Sequence, residues 1–108
     1  MTTTVIELVT YKLKNGVSPD QLAATHEGVN AFLKAQEGFY YRSMSQDEDD
    51  TMVDICYWKD METAKAASDA FMNSPACKQL IELCDMESVV MKHLPVLTEA
   101  MTGSCEAA

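Results

Sequence analysis

Residues 4–14, Thr-Val-Ile-Glu-Leu-Val-Thr-Tyr-Lys-Leu-Lys, constrain the fold of this chain more than any other stretch. Their β-branched and aromatic content predicts a strand, whose side chains alternate between two faces. Val5, Val9, Tyr11 and Leu13 then share one face with Glu7, while Ile6 and Leu8 share the other with Thr10 and Lys12. A strand that is apolar on both sides must be covered on both sides, so it belongs inside a sheet. With 108 residues the chain can build one such core and not two. At 47% hydrophobic and 23% charged residues it is globular rather than disordered.

The remaining elements follow from local signals. Asn15-Gly16 closes the strand with a turn. In Ser18-Pro19-Asp20-Gln21, serine is an N-cap, proline suits the first helical position and glutamine completes a capping box. Leu22, Val29 and Leu33 recur at helical spacing with His26 on the same stripe, and Gly38 provides a stop, predicting a helix over 19–36. Residues 39–45 and 51–58 predict two strands joined by the acidic turn Asp47-Glu48-Asp49-Asp50. That run is a solvated hairpin tip, without the glycine and closing glutamate of a calcium loop. Residues 61–73 predict a helix with Ala64, Ala67 and Phe71 on one stripe. Ser74-Pro75 restarts a helix carrying Cys77, Leu80, Ile81 and Cys84, and residues 86–94 form a fourth strand ended by Pro95.

The order β-α-β-β-α-β is an α+β, ferredoxin-like arrangement. It predicts a four-stranded antiparallel sheet in the order 4-1-3-2 with helices on one face. The other face stays apolar, and a second identical chain is its economical cover, giving a homodimer that closes an α/β barrel. The domain is expected over 1–95, with 96–108 as a tail that packs on the domain or the partner chain through Val96, Leu97 and Met101.

Charge and cysteine usage exclude several classes. A net charge of −9 repels phosphate backbones and anionic membrane surfaces. No apolar run approaches the ~20 residues of a membrane span, and the first residues lack the basic segment and cleavage pattern of a signal peptide. A cytoplasmic protein with no nucleic-acid and no membrane partner is expected. The cysteines at 56, 77, 84 and 105 form no Cys-x-x-Cys pair and have no histidine at zinc spacing, so free thiols and no metal are expected. On one helix Cys77 and Cys84 would lie ~10 Å apart, beyond the ~7 Å reach of a disulfide. Glycines at 16, 28, 38 and 103 make no phosphate-binding loop, and no Gly-x-Ser-x-Gly occurs.

Trp58-Lys59-Asp60-Met61-Glu62-Thr63-Ala64, followed by Ala70-Phe71-Met72-Asn73-Ser74-Pro75, resembles the third strand and second helix of the antibiotic biosynthesis monooxygenase family. These are small proteins of the dimeric α/β-barrel superfamily, and the resemblance covers residues 4–95. It implies a cofactor-independent oxygenase acting on an aromatic or polyketide-like metabolite that itself supplies the electrons for oxygen. No cofactor would be bound. Many relatives carry a histidine shortly before the Ser-Pro step, where this chain has Phe71. The haem-degrading branch uses an asparagine on the first strand and a histidine late in the second helix. Here no asparagine precedes Asn15 and residues 61–85 hold no histidine, which disfavours haem degradation.

His26, Arg42 and Asp54 are the candidate catalytic residues; Trp58, Tyr57, Tyr40, His93 and Phe71 are candidates for binding a small aromatic ligand. His26 reads either as a satisfied core histidine or as a base in a helix–sheet pocket. Arg42 and Asp54 share a face if 44 pairs with 52, or 45 with 51, and separate after a one-residue slip. The shared face is favoured because an unpartnered carboxylate between Val53 and Ile55 is costly to bury. The pair is then a structural ion pair or an anchor for an anionic or phenolic ligand. Tyr40, Tyr41, Tyr57 and Trp58 cluster at the strand ends as core, dimer interface or a stacking surface. His93, near the end of the fourth strand, reads as structural or solvated beside its ligand-binding role. Met44, Met52, Met72, Met86 and Met91 add pliable lining. The alternative to an oxygenase is a non-enzymatic dimeric module that binds a small apolar ligand, which Phe71 in place of histidine favours somewhat.

Overall fold

β1 (Val5–Leu13) forms where its β-branched run predicts it and lies inside a four-stranded antiparallel sheet. The computed structural model describes residues 3–101. After β1 come α1 (Pro19–Ala23), α2 (His26–Lys34), β2 (Phe39–Gln46), β3 (Met52–Trp58), α3 (Met61–Phe71), α4 (Pro75–Leu83) and β4 (Cys84–Pro95). The sheet order is β2-β3-β1-β4, the predicted order read from the other edge. The fold is therefore α+β and ferredoxin-like, with each helical crossover in two segments.

The single helix expected over 19–36 is divided. Ser18 makes the predicted capping box: its Oγ accepts the Gln21 N–H at 3.1 Å, and Gln21 Oε1 accepts the Ser18 N–H at 2.7 Å. At Thr25 the chain tightens. The Thr25 N–H bonds the Leu22 carbonyl at 3.0 Å, and its hydroxyl donates to the same carbonyl at 2.7 Å. A hydroxyl that bonds back to the main chain competes with the helical ladder, which separates α1 from α2. Cys84 also departs from expectation. It is extended, pairs with Leu13 and opens β4, because the Leu83 carbonyl already accepts the Lys14 N–H at 2.8 Å.

The β2–β3 hairpin pairs Gln46 with Met52, Met44 with Asp54 and Arg42 with Cys56. This corrects the expected 44–52 pairing by two residues. Asp47 is the cause. Its Oδ1 accepts the N–H groups of Asp49 and Thr51 at 2.8 and 3.0 Å, and its own N–H bonds the Thr51 carbonyl at 2.9 Å. Asp50 takes the left-handed conformation, φ 62°, that closes a three-residue hairpin loop. A shift of two preserves the side-chain alternation, so Arg42 and Asp54 remain on one face.

The helix-facing side holds the core: Val5, Tyr11, Met52, Cys56 and Trp58 pack against Val29, Leu33, Ala64, Ala67, Cys77 and Leu80. A Cβ on Gly28 would lie 3.0 Å from the Ala76 Cβ, a measure of how closely α2 approaches α4. By register, the other face carries Ile6, Leu8, Tyr41, Val53, Ile55, Tyr57, Val90 and Leu94, and no helix among the described residues covers it. In the tail, the half-buried Val96 continues the ladder through its N–H to the Thr4 carbonyl at 2.9 Å. Leu97 and Met101 are 93% and 71% exposed in the single chain. Cys56, Cys77 and Cys84 are buried free thiols, while Cys105 lies outside the described residues. Among those residues no helix is long and apolar enough to cross a membrane.

Candidate functional site

A cavity of about 290 Å³ lies between the helices and the helix-facing side of the sheet. The register sets which residues lie on this side of the sheet. One row across the sheet reads Arg42, Cys56, Glu7, His93, and the next reads Met44, Asp54, Val9, Met91. Trp58 and Tyr11 line the cavity from β3 and β1, and the roof is Val29 and Leu33 of α2, Phe71 of α3 and Leu80 of α4. Met72, Met86 and Met91 also line it and are each about half exposed, which places them at the rim.

Arg42 grips Asp54 with both edges of its fork: Nε donates to Oδ1 at 3.0 Å and Nη2 to Oδ2 at 2.8 Å. Nη1 donates to Asn30 Oδ1 of α2 at 2.7 Å. The two side chains are only 7% and 13% exposed. Burial opposes the charged guanidinium, but the hydrogen bonds and charge of Asp54 outweigh it and raise its pKa above the ordinary value. This is the planar two-point pairing that arginine provides and lysine does not.

A second polar group lies one strand further across. Glu7 Oε2 accepts a hydrogen bond from Ser68 Oγ of α3 at 2.7 Å and meets His93 Nε2 at 2.9 Å. An ionised carboxylate only accepts, so this contact requires the hydrogen on Nε2. Glu7 and Ser68 line the cavity, and His93 stands behind them with its side chain 19% exposed.

Two buried polar atoms of lining residues have no hydrogen-bond partner among the described residues: Tyr11 Oη and Trp58 Nε1. Burial, reinforced by the negative charge of Asp54, pushes the Tyr11 pKa well above its ordinary value and keeps the hydroxyl neutral. Asp54 lies beside that hydroxyl and acts on it chiefly through its charge. Burial first, with Asp54 second, also pushes the Cys56 thiol up to about 12 and the Cys84 thiol to about 11. Both therefore stay protonated and unreactive.

Of the residues singled out in the sequence, the cavity brings together Arg42, Asp54, Trp58 and Phe71. His93 reaches it through Glu7. His26 does not line it: it is half-buried at the start of α2, one turn before Val29, beyond the interruption at Thr25. Tyr57 projects from the opposite sheet face, where its ring meets Tyr41 edge-on at 6.0 Å, and Tyr40 is exposed beside the irregularity between Phe39 and Tyr41. Tyr11, Glu7 and Ser68 were not singled out. Glu7 did carry a signal, a carboxylate on the same face of a central strand as Val5, Val9 and Tyr11; Ser68 carried none.

No protein-family model and no curated protein matches the chain. Solved structures do match it. A single-residue variant of SnoaB, a cofactor-independent oxygenase from Streptomyces nogalater, superposes with a TM-score of 0.72 at 17% identity, covering 91% of this chain and 97% of that one. A candidate antibiotic biosynthesis monooxygenase from Bordetella bronchiseptica gives 0.75 at 9% identity, covering 90% and 100%. A dimeric ferredoxin-like protein of unknown function from Thermobifida fusca gives 0.71 at 10% identity, covering 89% and 93%. At these identities the likeness is one of fold: this chain has the ferredoxin-like fold shared by oxygenases such as SnoaB and by dimeric proteins of unknown function.

Proposed function

We propose that this protein is a small oxygenase, working without a bound cofactor, that acts on an aromatic or polyketide-like phenol in the helix–sheet cavity. The pair of unpartnered donors, Tyr11 Oη and Trp58 Nε1, in a mostly apolar wall supports this reading. An unmet buried donor costs about 1–3 kcal/mol, and an oxygen atom of a flat ligand would satisfy it. The cavity, at the small end of the range for ligand sites, suits a molecule of two or three rings. Arg42 adds a fixed positive charge near the oxygen of an electron-rich phenolate. The substrate supplies all four electrons: one oxygen atom enters it, and the other leaves as water with two substrate hydrogens. The description of SnoaB as a cofactor-independent oxygenase agrees with this chemistry. The uncovered apolar sheet face supports a homodimer, and the dimeric Thermobifida fusca protein has the same fold. Buried free thiols fit a reducing, cytoplasmic setting.

A second reading has its own observation. Arg42 is tied to Asp54, Glu7 holds Ser68 and His93, and His26 stands outside the cavity, an arrangement that suits a non-enzymatic ligand-binding dimer. Oxygen-electrode assays with a panel of polycyclic phenols separate the two. Uptake is expected in the wild type, and Trp58→Phe should lower it by about 10²-fold, the usual effect of removing one such donor. Saturable binding of the same phenols without oxygen uptake would establish the binding module instead.

A further inference from the structure

Two carboxylates stand on the sheet wall of the cavity, and they differ in one respect. Asp54 has both oxygens occupied by Arg42. Glu7 has both of its contacts, Ser68 and His93, on Oε2, and Oε1 carries no hydrogen bond among the described residues. We propose that Glu7 Oε1 accepts the hydroxyl proton of the substrate and so selects phenols over their ethers, with Ser68 and His93 as positioning residues. This rests on the reading of the cavity as a phenol site.

The carboxylate is held from two directions. Ser68 reaches it from α3 above the sheet, and His93 reaches it from β4 along the row in which the two residues pair. With Oε2 taken by both, Oε1 is the oxygen left to a ligand, in the same wall as the unpartnered donors Tyr11 Oη and Trp58 Nε1. In the sheet wall, one free acceptor and two free donors complement a molecule with a hydroxyl group and a further oxygen. A hydroxyl bound to a carboxylate makes a charge-assisted hydrogen bond, roughly twice as strong as a neutral one.

The same placement serves the chemistry. As the O–H bond breaks, the proton goes to Glu7 Oε1 and the bonding pair stays on the substrate oxygen, leaving a phenolate. The phenolate passes one electron to dioxygen, which becomes superoxide, and the substrate is left as a neutral aryloxyl radical. Proton loss comes first because a phenolate is a far stronger reductant than a phenol.

The test uses two probes that differ only in the hydroxyl hydrogen, 1-naphthol and 1-methoxynaphthalene, titrated calorimetrically into the wild-type protein and its variants. The wild type should bind the naphthol about tenfold tighter, and Glu7→Gln, which keeps the shape and removes the charge, should abolish most of that ratio. Ser68→Ala should lower the ratio as well, and Ser68→Thr, which keeps the hydroxyl, should restore it. A wild type that binds both probes equally or neither, or a Glu7→Gln variant with the wild-type ratio, overturns the assignment. Oxygen uptake is measured in parallel. A hydroxyl preference lost in Glu7→Gln without any uptake upholds Glu7 and removes the oxygenase; uptake with an unchanged ratio does the reverse.

Discussion

Arg42 and Asp54 illustrate how much a buried charge depends on its partner. Together they are satisfied. Arg42→Leu leaves the Asp54 carboxylate in a largely buried wall with nothing opposite it, and a loss of about 3 kcal/mol is expected, read as a lower urea midpoint of unfolding. Arg42→Lys should recover only part of the loss, because an ammonium cannot span both carboxylate oxygens and Asn30. An unchanged midpoint in Arg42→Leu would mean that water already solvates Asp54. The buried thiols make a separate prediction. Cys56 moves from 9.0 to about 12 and Cys84 from 9.0 to about 11 on folding. The folded protein thus keeps protons that the unfolded chain releases, so this stability is present below the unfolded value and is lost as pH rises toward the folded ones. Unfolding free energy should fall across that alkaline window, and Cys56→Ala should flatten the fall. At this scale the Arg42–Asp54 contact was legible in the sequence, because an unpartnered carboxylate between Val53 and Ile55 needed an answer.

Between residue and fold, the join of α2 to β2 hinges on Gly38. Its φ is +81°, and a Cβ there would come within 2.5 Å of Thr63 Oγ1. Thr63 belongs to the capping box of α3, donating its N–H to Asp60 Oδ1 at 2.8 Å. Gly38→Ala should therefore cost more than about 1 kcal/mol, through backbone strain and through displacement of the α3 cap together. Thermal melting measures the loss, and an unaltered melting temperature would contradict the tight approach. The Ser18 and Ser74 caps were legible because capping chemistry is local: both serine oxygens receive the N–H of the residue three positions on. The division at Thr25 was not, since helical spacing runs through Leu22, Val29 and Leu33 without a break and only the Thr25 hydroxyl bond reveals it.

For the whole molecule the unpaired sheet face dominates. Ile6, Leu8, Ile55 and Tyr57 form its centre, and Val90 and Leu94 on β4 are 50% and 40% exposed in the single chain. Sedimentation at micromolar concentration is expected to give a dimer, and Ile55→Lys a monomer, since a buried unpaired ammonium costs more than the face gains. Two chains of charge −9 repel one another, so added salt should tighten the dimer rather than loosen it. A wild-type monomer at all salt concentrations would leave the apolar face to another partner.

The order of strands and helices was legible in the sequence alone, because alternation, helical spacing, N-caps and turn residues act over a few neighbouring positions, and the sheet order followed from that β-α-β-β-α-β order; the break at Thr25 and the start of β4 at Cys84 were not legible. The candidate site was decided by the tertiary structure. Glu7 meets Ser68 across 61 residues and His93 across 86, contacts that exist only once β1 is paired and α3 is laid over it. The hairpin shows both effects at once. Side-chain alternation alone kept Arg42 and Asp54 on one face. The pairing of Arg42 with Cys56 instead came from Asp47 folding its carboxylate back onto the turn. His26 lies outside the cavity for a like reason: a hydrogen bond from Thr25 ended one helix and began another, and no periodicity of apolar residues records it.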